Sequence, residues 1–280
     1  MMADVIPLKY GPIFKRVFSK PSIFREFVEA VTGVQVNVSQ IHTEYEYPER
    51  VGNVNLVYDI FAEDTEQRVI IEIQHIKEED FFSRFFYYHV PGIIQQVTSF
   101  EEYEPPKTVY TIVVLTSVSR DGSINFSWSE LPLDVFDEWG DKHRIAPHRL
   151  IFVNPRLVND DTPAAVKPWL EVIKDSLDSK IDESAYPSPS LQELIAEIQR
   201  NTMSAEESTA IKDESAWAKA TVRFREEGRR DQQIATAKVM LSKDIDHVVI
   251  EEATGLSPDE ISHVIKMMQE EENTNLDQSQ

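Results

Sequence analysis

Three polar residues interrupt two apolar stretches in the first third of the chain. Asp59 lies within LVYDIF, and Glu72 and Gln74 alternate within IIEIQ. Residues at alternate positions of a strand point to the same face, so Glu72 and Gln74 would share one. Two carboxylates side by side among Val, Ile and Phe repel each other and resist desolvation unless a cation lies between them. A hard divalent cation, Mg²⁺ or Mn²⁺, is the natural partner for such oxygen ligands.

The two stretches have the pattern of a β-hairpin. Residues 53–62 and 68–75 each alternate between two faces, and the polar segment EDTE precedes the second run. If the strands pair around this turn, opposing positions sum to about 131, which places Asp59 opposite Glu72. The hairpin would then bring both carboxylates to one point on one face of a sheet.

Two interpretations of that face are open. Acidic residues on exposed strand faces are common, so both carboxylates could be ordinary surface residues. The apolar residues Val57, Phe61 and Ile70 fall on the same face by alternation, which favours a covered face. A covered face would make the carboxylate pair a metal site rather than a solvated surface.

The segment before the hairpin predicts two helices. Residues 12–34 have apolar side chains at helical spacing, with a break at Lys20 and the proline that follows it. Ser22 is suited to cap the second helix, and Gly33 is suited to end it. Four further segments have strand or helix patterns: a half-buried strand at 34–41, an aromatic helix at 80–100, and strands at 108–117 and 148–154. Together they predict an α/β domain with a mixed sheet flanked by helices.

Beyond residue 159 the sequence predicts helices only. These are expected at 164–179, 190–201, 205–228 and 231–240, with a linker-like break at the YPSP segment, 186–189. We therefore expect an α/β domain over 1–185, a helical C-terminal region over 186–268, and an acidic, disordered tail over 269–280.

A helix, a tight turn at Gly255 and a second helix are predicted within 248–266. Ser257 and Glu260 have the spacing of a capping box at the start of the second helix. Such a unit could enter a DNA major groove, but the outer face of its second helix is acidic. A helical hairpin used for packing or self-association is therefore the favoured interpretation.

Composition sets wide limits on function. The chain has 280 residues, 41% of them hydrophobic, and no cysteine, so it can bury a core but has no disulfide or thiolate site. No apolar run has membrane-spanning length, and the N-terminus lacks the pattern of a secretory signal, so we expect a cytoplasmic protein. The net charge of −21 opposes binding to DNA, although acid concentrated late in the chain and bound metal ions would soften that objection.

The motifs together resemble a known family. Asp59, a turn and then Glu72-Ile73-Gln74 are similar to the PD-(D/E)XK nuclease core in the variant form with Gln in place of Lys. More specifically, the chain resembles the Rpn-type recombination-promoting nucleases, which are also described as transposases of that superfamily. The motifs that carry the resemblance are FKRVF at 14–18, YDI at 58–60, IEIQ at 71–74, and Arg84 followed by Tyr87-Tyr88. It is strong over residues 10–115 and weaker over the C-terminal helices, where ATGLS at 253–257 is also similar.

The resemblance implies a Mg²⁺- or Mn²⁺-dependent DNA endonuclease that serves recombination or transposition of mobile DNA. Asp59, Glu72 and the carbonyl of Ile73 would hold the metal, which activates a water molecule beside the scissile phosphate. Gln74 could orient that water but could not act as a base near neutral pH. A homodimer would suit cleavage of both strands, although no residue identifies one. The rival interpretation is a catalytically silent DNA-binding or protein-interaction protein on the same fold.

Residues that could contact DNA each have a second interpretation. Arg84 could clamp a phosphate or pair with Glu78 or Glu79, and Tyr87 and Tyr88 could stack at the site or belong to the core. Solvated helix surfaces are the alternative for the remaining basic candidates, which are Lys15, Arg16, Arg223, Arg229 and Arg230. Three further residues are weaker candidates as metal ligands, namely Glu26, Glu29 and His75. Gly11 is a departure, because the family commonly has Asp at that position.

Overall fold

The computed structural model describes residues 2–46, 56–74, 81–97, 105–119, 122 and 124–277. Its strands are β1 (Met2–Asp4), β2 (Ile41–Glu46), β3 (Val57–Glu63), β4 (Gln67–Gln74), β5 (Thr108–Leu115), β6 (Trp128–Phe136), β7 (Lys142–Val153) and β8 (Lys180–Asp182). Six of them form a mixed sheet in the order β2-β3-β4-β5-β7-β6, and β1 pairs with β8 in a separate ribbon. β4, β5 and β7 are parallel neighbours, and the outer strands are antiparallel to them or to each other.

The helices are α1 (Gly11–Phe18), α2 (Pro21–Thr32), α3 (Phe81–Ile94), α4 (Lys167–Ser176), α5 (Pro189–Glu197), α6 (Ala205–Leu241), α7 (His247–Thr254) and α8 (Pro258–Asp277). The described chain divides into two compact units, residues 1–211 and residues 212–280. None of the described helices has both the length and the apolar character that a membrane span needs. The expected mixed sheet flanked by helices, followed by a helical region, is confirmed.

Both faces of the large sheet are covered by helices. On one face, aromatic residues of α1 and α2 pack with α4, α5 and the apolar residues of the central strands, as in the stacked pair Phe14 and Phe18. On the other face, α3 packs through Phe85 against β5 and β7. A sheet covered on both sides explains why β5 (TVYTIVVL) is an almost continuous apolar run instead of an alternating one.

The helices before the hairpin match the prediction with one correction. α1 and α2 meet at the expected break, and Gly33 ends α2 with a positive φ of 74°, a conformation that glycine adopts without a steric penalty. The predicted cap at Ser22 is wrong, because α2 begins at Pro21 with Lys20 as its cap residue. The Ser22 hydroxyl instead donates to Glu193 Oε2 at 2.6 Å. α1 follows Tyr10, which makes no side-chain cap, so this chain starts the helix without an acidic residue at position 11.

Two strand predictions are also corrected. Residues 34–40 are not a strand, although Val36 and Val38 are buried in alternation as predicted, and β2 starts only at Ile41. β6 was not predicted, and its sequence WSELPLDVF contains a proline, which usually argues against a strand. The structure accommodates Pro132 on an edge strand, where the register with β7 shifts between Pro132 and Asp134.

The helical region differs from the expected division of the chain. α5 lies beyond the expected boundary at 185, yet Leu191, Leu194 and Ile195 belong to the core of the first unit. The expected linker is a packed turn, since Tyr186 is buried and its hydroxyl donates to Asp175 Oδ2 at 2.6 Å. α6 is one helix through Gly228, where two helices were expected. α8 continues to Asp277, into the tail for which disorder was expected.

The second unit is a helical assembly around its own small core. α6, α7 and α8 contribute Ala237, Ile250, Leu256, Ile261 and Val264. The turn between α7 and α8 is as predicted: Gly255 has a φ of 70° and ends α7. The capping box is also present, because the backbone N–H of Ser257 donates to Glu260 Oε2 at 2.7 Å and the N–H of Glu260 donates to Ser257 Oγ at 3.4 Å. The packing of both helices into this core favours the helical-hairpin interpretation.

Candidate active site on the β3–β4 hairpin

The hairpin has the predicted register. Pairing runs from Glu63 opposite Arg68 to Ile60 opposite Ile71, so opposing positions sum to 131, and the next positions along the two strands are Asp59 and Glu72. The turn is held by Asp64, whose Oδ1 accepts hydrogen bonds from the backbone N–H groups of Glu66 and Gln67. An Asp at the first position of a turn commonly makes such bonds, and they fix the register that aligns the two carboxylates.

At Asp59 and Glu72, carboxylate oxygens accept hydrogen bonds from backbone N–H groups of the opposite strand, in place of backbone carbonyls. The Asp59 N–H donates to Glu72 Oε1 at 3.1 Å, and the Ile73 N–H donates to Asp59 Oδ2 at 3.0 Å. Each strand therefore uses a backbone donor to hold the carboxylate of the other. Because these donors belong to the sheet, the two carboxylates are oriented by the backbone and not only by side-chain packing.

The face that carries the pair is covered around Glu72, which disfavours the interpretation as ordinary surface carboxylates, although Val57, expected to share that cover, is 43% exposed. Glu72 is 6% exposed, and Phe61 and Ile70 on the same face are buried. Burial raises the pKa of Glu72 well above its usual value, and the neighbouring charge of Asp59 raises it further. Burial also raises the pKa of Asp59, against the opposing effects of the Ile73 N–H and Lys15. Both ionised forms are thus disfavoured unless positive charge is supplied.

The donor set fits a hard divalent cation. Two carboxylates with raised pKa values, fixed on adjacent strands, offer oxygen ligands and an unmet need for positive charge. Within the described part of the chain, no group of three or more His, Cys, Asp or Glu residues could hold a metal ion. An ion held by Asp59 and Glu72 would therefore complete its shell with backbone carbonyls, water or substrate oxygens, as Mg²⁺ commonly does.

Gln74 and Ile73 continue β4 from Glu72. The side chain of Gln74 is half-buried and follows Glu72 on the same face by alternation, and its carbonyl accepts a hydrogen bond from the Thr116 N–H at 3.0 Å. This bond anchors the end of β4 to the segment after β5. The metal-binding role expected for the Ile73 carbonyl stays a prediction. His75 lies outside the described residues.

Two cationic side chains act on the carboxylates. Lys15 of α1 places its Nζ 4.0 Å from Asp59 Oδ1 and 2.6 Å from Glu44 Oε1. Arg84 of α3 is exposed, lies over the rings of Phe85 and Tyr88, and lowers the pKa of both Asp59 and Glu72 by its charge. Its expected alternative partners at positions 78 and 79 lie outside the described residues. The structure thus places Lys15 beside Asp59, and the charge of Arg84 acts on both carboxylates.

Other candidates have different surroundings. Tyr88 packs in part against the core under α3, and its carbonyl accepts a hydrogen bond from the Tyr58 hydroxyl at 3.2 Å, while Tyr87 is exposed. Arg16 is occupied within the first unit, since its Nε lies 2.8 Å from Glu207 Oε1 and its Nη2 donates to the carbonyl of Glu197. These contacts give Arg16 a structural role in holding the chain after α5.

Glu44 is the site residue that the sequence did not predict. It lies opposite Asp59, between the paired residues Thr43 and Tyr45 of β2, and has a positive φ of 52°. The third carboxylates that were considered are elsewhere on α2: Glu26 is exposed, and Glu29 Oε1 accepts a hydrogen bond from Gln35. Nothing in the alternating segment IHTEYE distinguishes Glu44 as a site residue, because its role depends on how α1 packs beside β2 and β3.

The basic candidates of the C-terminal region belong to α6 in the second unit. Arg223 lies 3.5 Å from Glu227 one turn along the helix, Arg229 is exposed, and Arg230 pairs with Glu260 at the start of α8. Arg230 thereby connects α6 to the capping box. Contact of these residues with DNA stays a prediction.

Comparison with known proteins agrees with this geometry. Residues 11–129 match the family model described as PD-(D/E)XK nuclease family transposase, a span that contains α1, the hairpin, α3 and β5. No curated protein gives a significant match to the chain. The resemblance inferred from the motifs is confirmed over this span, and it supports a nuclease or transposase-like role.

Proposed function

We propose that the chain is a metal-dependent endonuclease that cleaves phosphodiester bonds of DNA in recombination or transposition, because residues 11–129 match the family model described as PD-(D/E)XK nuclease family transposase. The observation that carries the proposal is the arrangement of Asp59 and Glu72. Asp59 and Glu72 are each held by a backbone N–H of the opposite strand, on a covered face. Carboxylates fixed in this way are preorganised for a cation and are costly without one.

Asp59 and Glu72, with the carbonyl of Ile73, would hold Mg²⁺ or Mn²⁺. When bound, the ion would lower the pKa of a water molecule and offset the negative charge that develops on the phosphate. The protein's own part is to orient both carboxylates, and the backbone donors of Asp59 and Ile73 partly offset the cost of ionising them in a buried place. The raised pKa values predict that ion binding is accompanied by proton release from the carboxyl groups.

Gln74 would orient the attacking water through its side-chain amide. An amide does not take up a proton near neutral pH, so the water's proton would pass to bulk solvent or to a phosphate oxygen. Lys15 and Arg84 supply positive charge beside the carboxylates, where the phosphate must approach. Local cations of this kind allow a chain with a net charge of −21 to accept a polyanion at one position.

The test is cleavage of supercoiled plasmid in Mg²⁺ and in EDTA, with wild type, Glu72→Ala and Glu66→Ala. Glu66 is an exposed residue of the same hairpin, so its variant controls for loss of one negative charge. We expect nicking or linearisation that needs metal, is lost in Glu72→Ala and is retained in Glu66→Ala. Cleavage that persists in Glu72→Ala would place the activity elsewhere. No cleavage together with no Mn²⁺-dependent rise in Tm would favour the silent DNA-binding alternative.

A further inference from the structure

The ammonium group of Lys15 lies between two carboxylates at the edge of the site. Its Nζ is 2.6 Å from Glu44 Oε1 and 4.0 Å from Asp59 Oδ1. The Lys15 side chain is 17% exposed, whereas that of Glu44 is 70% exposed. The half-buried ammonium group is therefore held near the site, from its solvent side, by an exposed carboxylate.

Lys15 reaches this position because α1 is firmly placed. Phe14 and Phe18, on either side of it in sequence, are fully buried and stacked on each other at 4.2 Å. The neighbouring residue Arg16 is bound to Glu207 and to the carbonyl of Glu197. With the helix fixed by these contacts, the Lys15 stem has a defined origin beside β3, and the reach of its ammonium is limited to the Glu44 and Asp59 side of the site.

Glu44 has an unusual backbone conformation, although the residues on either side of it pair regularly with β3. Thr43 pairs with Ile60 and Tyr45 pairs with Tyr58 in regular register, yet Glu44 between them has a φ of 52°. A non-glycine residue in the left-handed region is strained, and such strain concentrates where a side chain must be aimed. Here the strained residue is the one that faces Asp59 across the ladder and binds Lys15.

We propose that Lys15 and Glu44 form a counter-ion clamp, in which Lys15 competes with the divalent cation for Asp59 and Glu44 limits that competition by holding Lys15 away. The inference rests on the proposed function, because it concerns the same metal site. In this arrangement Lys15 lowers the cost of the carboxylate pair when no metal is bound. Once the cation is bound, the Lys15 ammonium is repelled from Asp59 and is available to a phosphate oxygen of DNA.

The clamp makes predictions of opposite sign for its two members. Lys15→Met keeps the aliphatic stem and removes the competing charge, so Mn²⁺ affinity should rise about tenfold, equivalent to about 1.4 kcal/mol. Glu44→Asn keeps a residue that tolerates positive φ but frees Lys15 to approach Asp59, so Mn²⁺ affinity should fall by a similar factor. Lys15→Gln is a second neutral variant that should behave as Lys15→Met does.

The measurement is isothermal titration calorimetry of Mn²⁺ into the full chain without DNA. Lys20→Met is the matched control, because Lys20 also pairs with a glutamate, Glu197, at 2.8 Å. It changes the net charge as Lys15→Met does, and we expect less than about a twofold change because exposed charges are screened. An equal rise in affinity in Lys15→Met and Lys20→Met would reduce the effect to net charge and overturn the clamp.

The double variant separates the clamp from direct binding of metal by Glu44. If Glu44 acts through Lys15, Glu44→Asn should have little effect in the Lys15→Met background. An undiminished loss of affinity there would make Glu44 a ligand and refute the clamp. Failure of wild type to bind Mn²⁺ would instead refute the proposed function, whereas binding that Lys15→Met leaves unchanged would refute the clamp alone. In plasmid cleavage, Lys15→Met should be slower than wild type despite its tighter Mn²⁺ binding.

Discussion

Replacing Glu72 by Gln should make the metal-free protein more stable. Gln has the same shape, and its Oε1 can still accept the hydrogen bond that the Asp59 N–H donates to Glu72 Oε1. What the substitution removes is one of two like charges on a covered face, where Glu72 is only 6% exposed. Whether Glu72→Gln raises or lowers the free energy of unfolding therefore shows whether the carboxylates of Asp59 and Glu72 repel each other.

The magnitude follows from Coulomb's law. Two unit charges about 5 Å apart repel by about 3 kcal/mol at an effective dielectric constant of about 20. Lys15 and Arg84 offset part of this repulsion, so we expect a net gain of about 1 to 3 kcal/mol for Glu72→Gln in EDTA at pH 8. For a domain of this size, each kcal/mol corresponds to about 2 to 4 °C in Tm.

The gain should depend on pH in a defined direction. Because the pKa of Glu72 is raised above its ordinary value of 4.5, the folded protein takes up this proton at a higher pH than the unfolded chain does. Wild type therefore recovers stability as the pH falls through the raised pKa, and the recovery is complete near the unfolded value. The advantage of Glu72→Gln should be largest at pH 8 and nearly absent near pH 4.5.

Thermal unfolding followed by circular dichroism at both pH values measures this effect. Glu66→Gln, in the exposed turn of the same hairpin, should leave Tm unchanged. Added Mn²⁺ should reverse the order, since an ion at about 1,000 times its Kd stabilises wild type by about 4.1 kcal/mol, and the variant binds it weakly. A Glu72→Gln protein less stable than wild type in EDTA at pH 8 would refute the assignment of a repelling pair.

Three further predictions concern separate parts of the chain. Gln74→Ala should lower plasmid cleavage by about 100-fold, the cost of a misplaced reactant, while Mn²⁺ affinity in calorimetry stays unchanged; a loss of affinity would make Gln74 a ligand. His89 is buried with its pKa lowered to about 4, so wild type should lose about 2 to 3 kcal/mol between pH 7 and pH 4.5 that His89→Gln keeps, as urea titrations at both pH values would show. Ser257→Ala removes the α8 cap and should destabilise the second unit by about 1 kcal/mol. Amide exchange in α8 should then be faster than in wild type, while exchange in α3 stays the same.

The site pair could be predicted from the sequence because the hairpin is a local structure. The alternation of apolar residues sets which side chains share a face, and the acidic turn sets the register, so Asp59 and Glu72 were placed opposite each other without tertiary information. Glu44 could not be predicted in this way. Its backbone conformation and its partner Lys15 depend on how α1 packs against β3, a contact between segments far apart in sequence.

The differences in the fold have a similar origin. β6 contains a proline that local rules exclude from strands, and only its place at the sheet edge makes Pro132 acceptable. Gly228 suggested a break in α6, but a single glycine costs a helix only about 1 kcal/mol, which the remainder of a 37-residue helix offsets. Local propensity predicted where elements occur, whereas edges, continuity and unit boundaries depended on tertiary contacts.

At Asp59, carboxylate oxygens accept the hydrogen bonds of backbone N–H groups, which explains how the sheet can carry a buried carboxylate, Glu72, beside a half-buried one. The Ile73 N–H is satisfied by Asp59 Oδ2 and the Asp59 N–H by Glu72 Oε1, so the carboxylates satisfy the backbone donors that the irregular pairing leaves there. Removing either side chain outright would therefore mix two effects of opposite sign, the loss of a buried acceptor and the relief of repulsion. Substitution of Asp by Asn or of Glu by Gln keeps a hydrogen-bond acceptor and therefore measures the effect of the charge alone. The same reasoning makes the charge, and not the hydrogen bonding, the part of the site that a cation must offset.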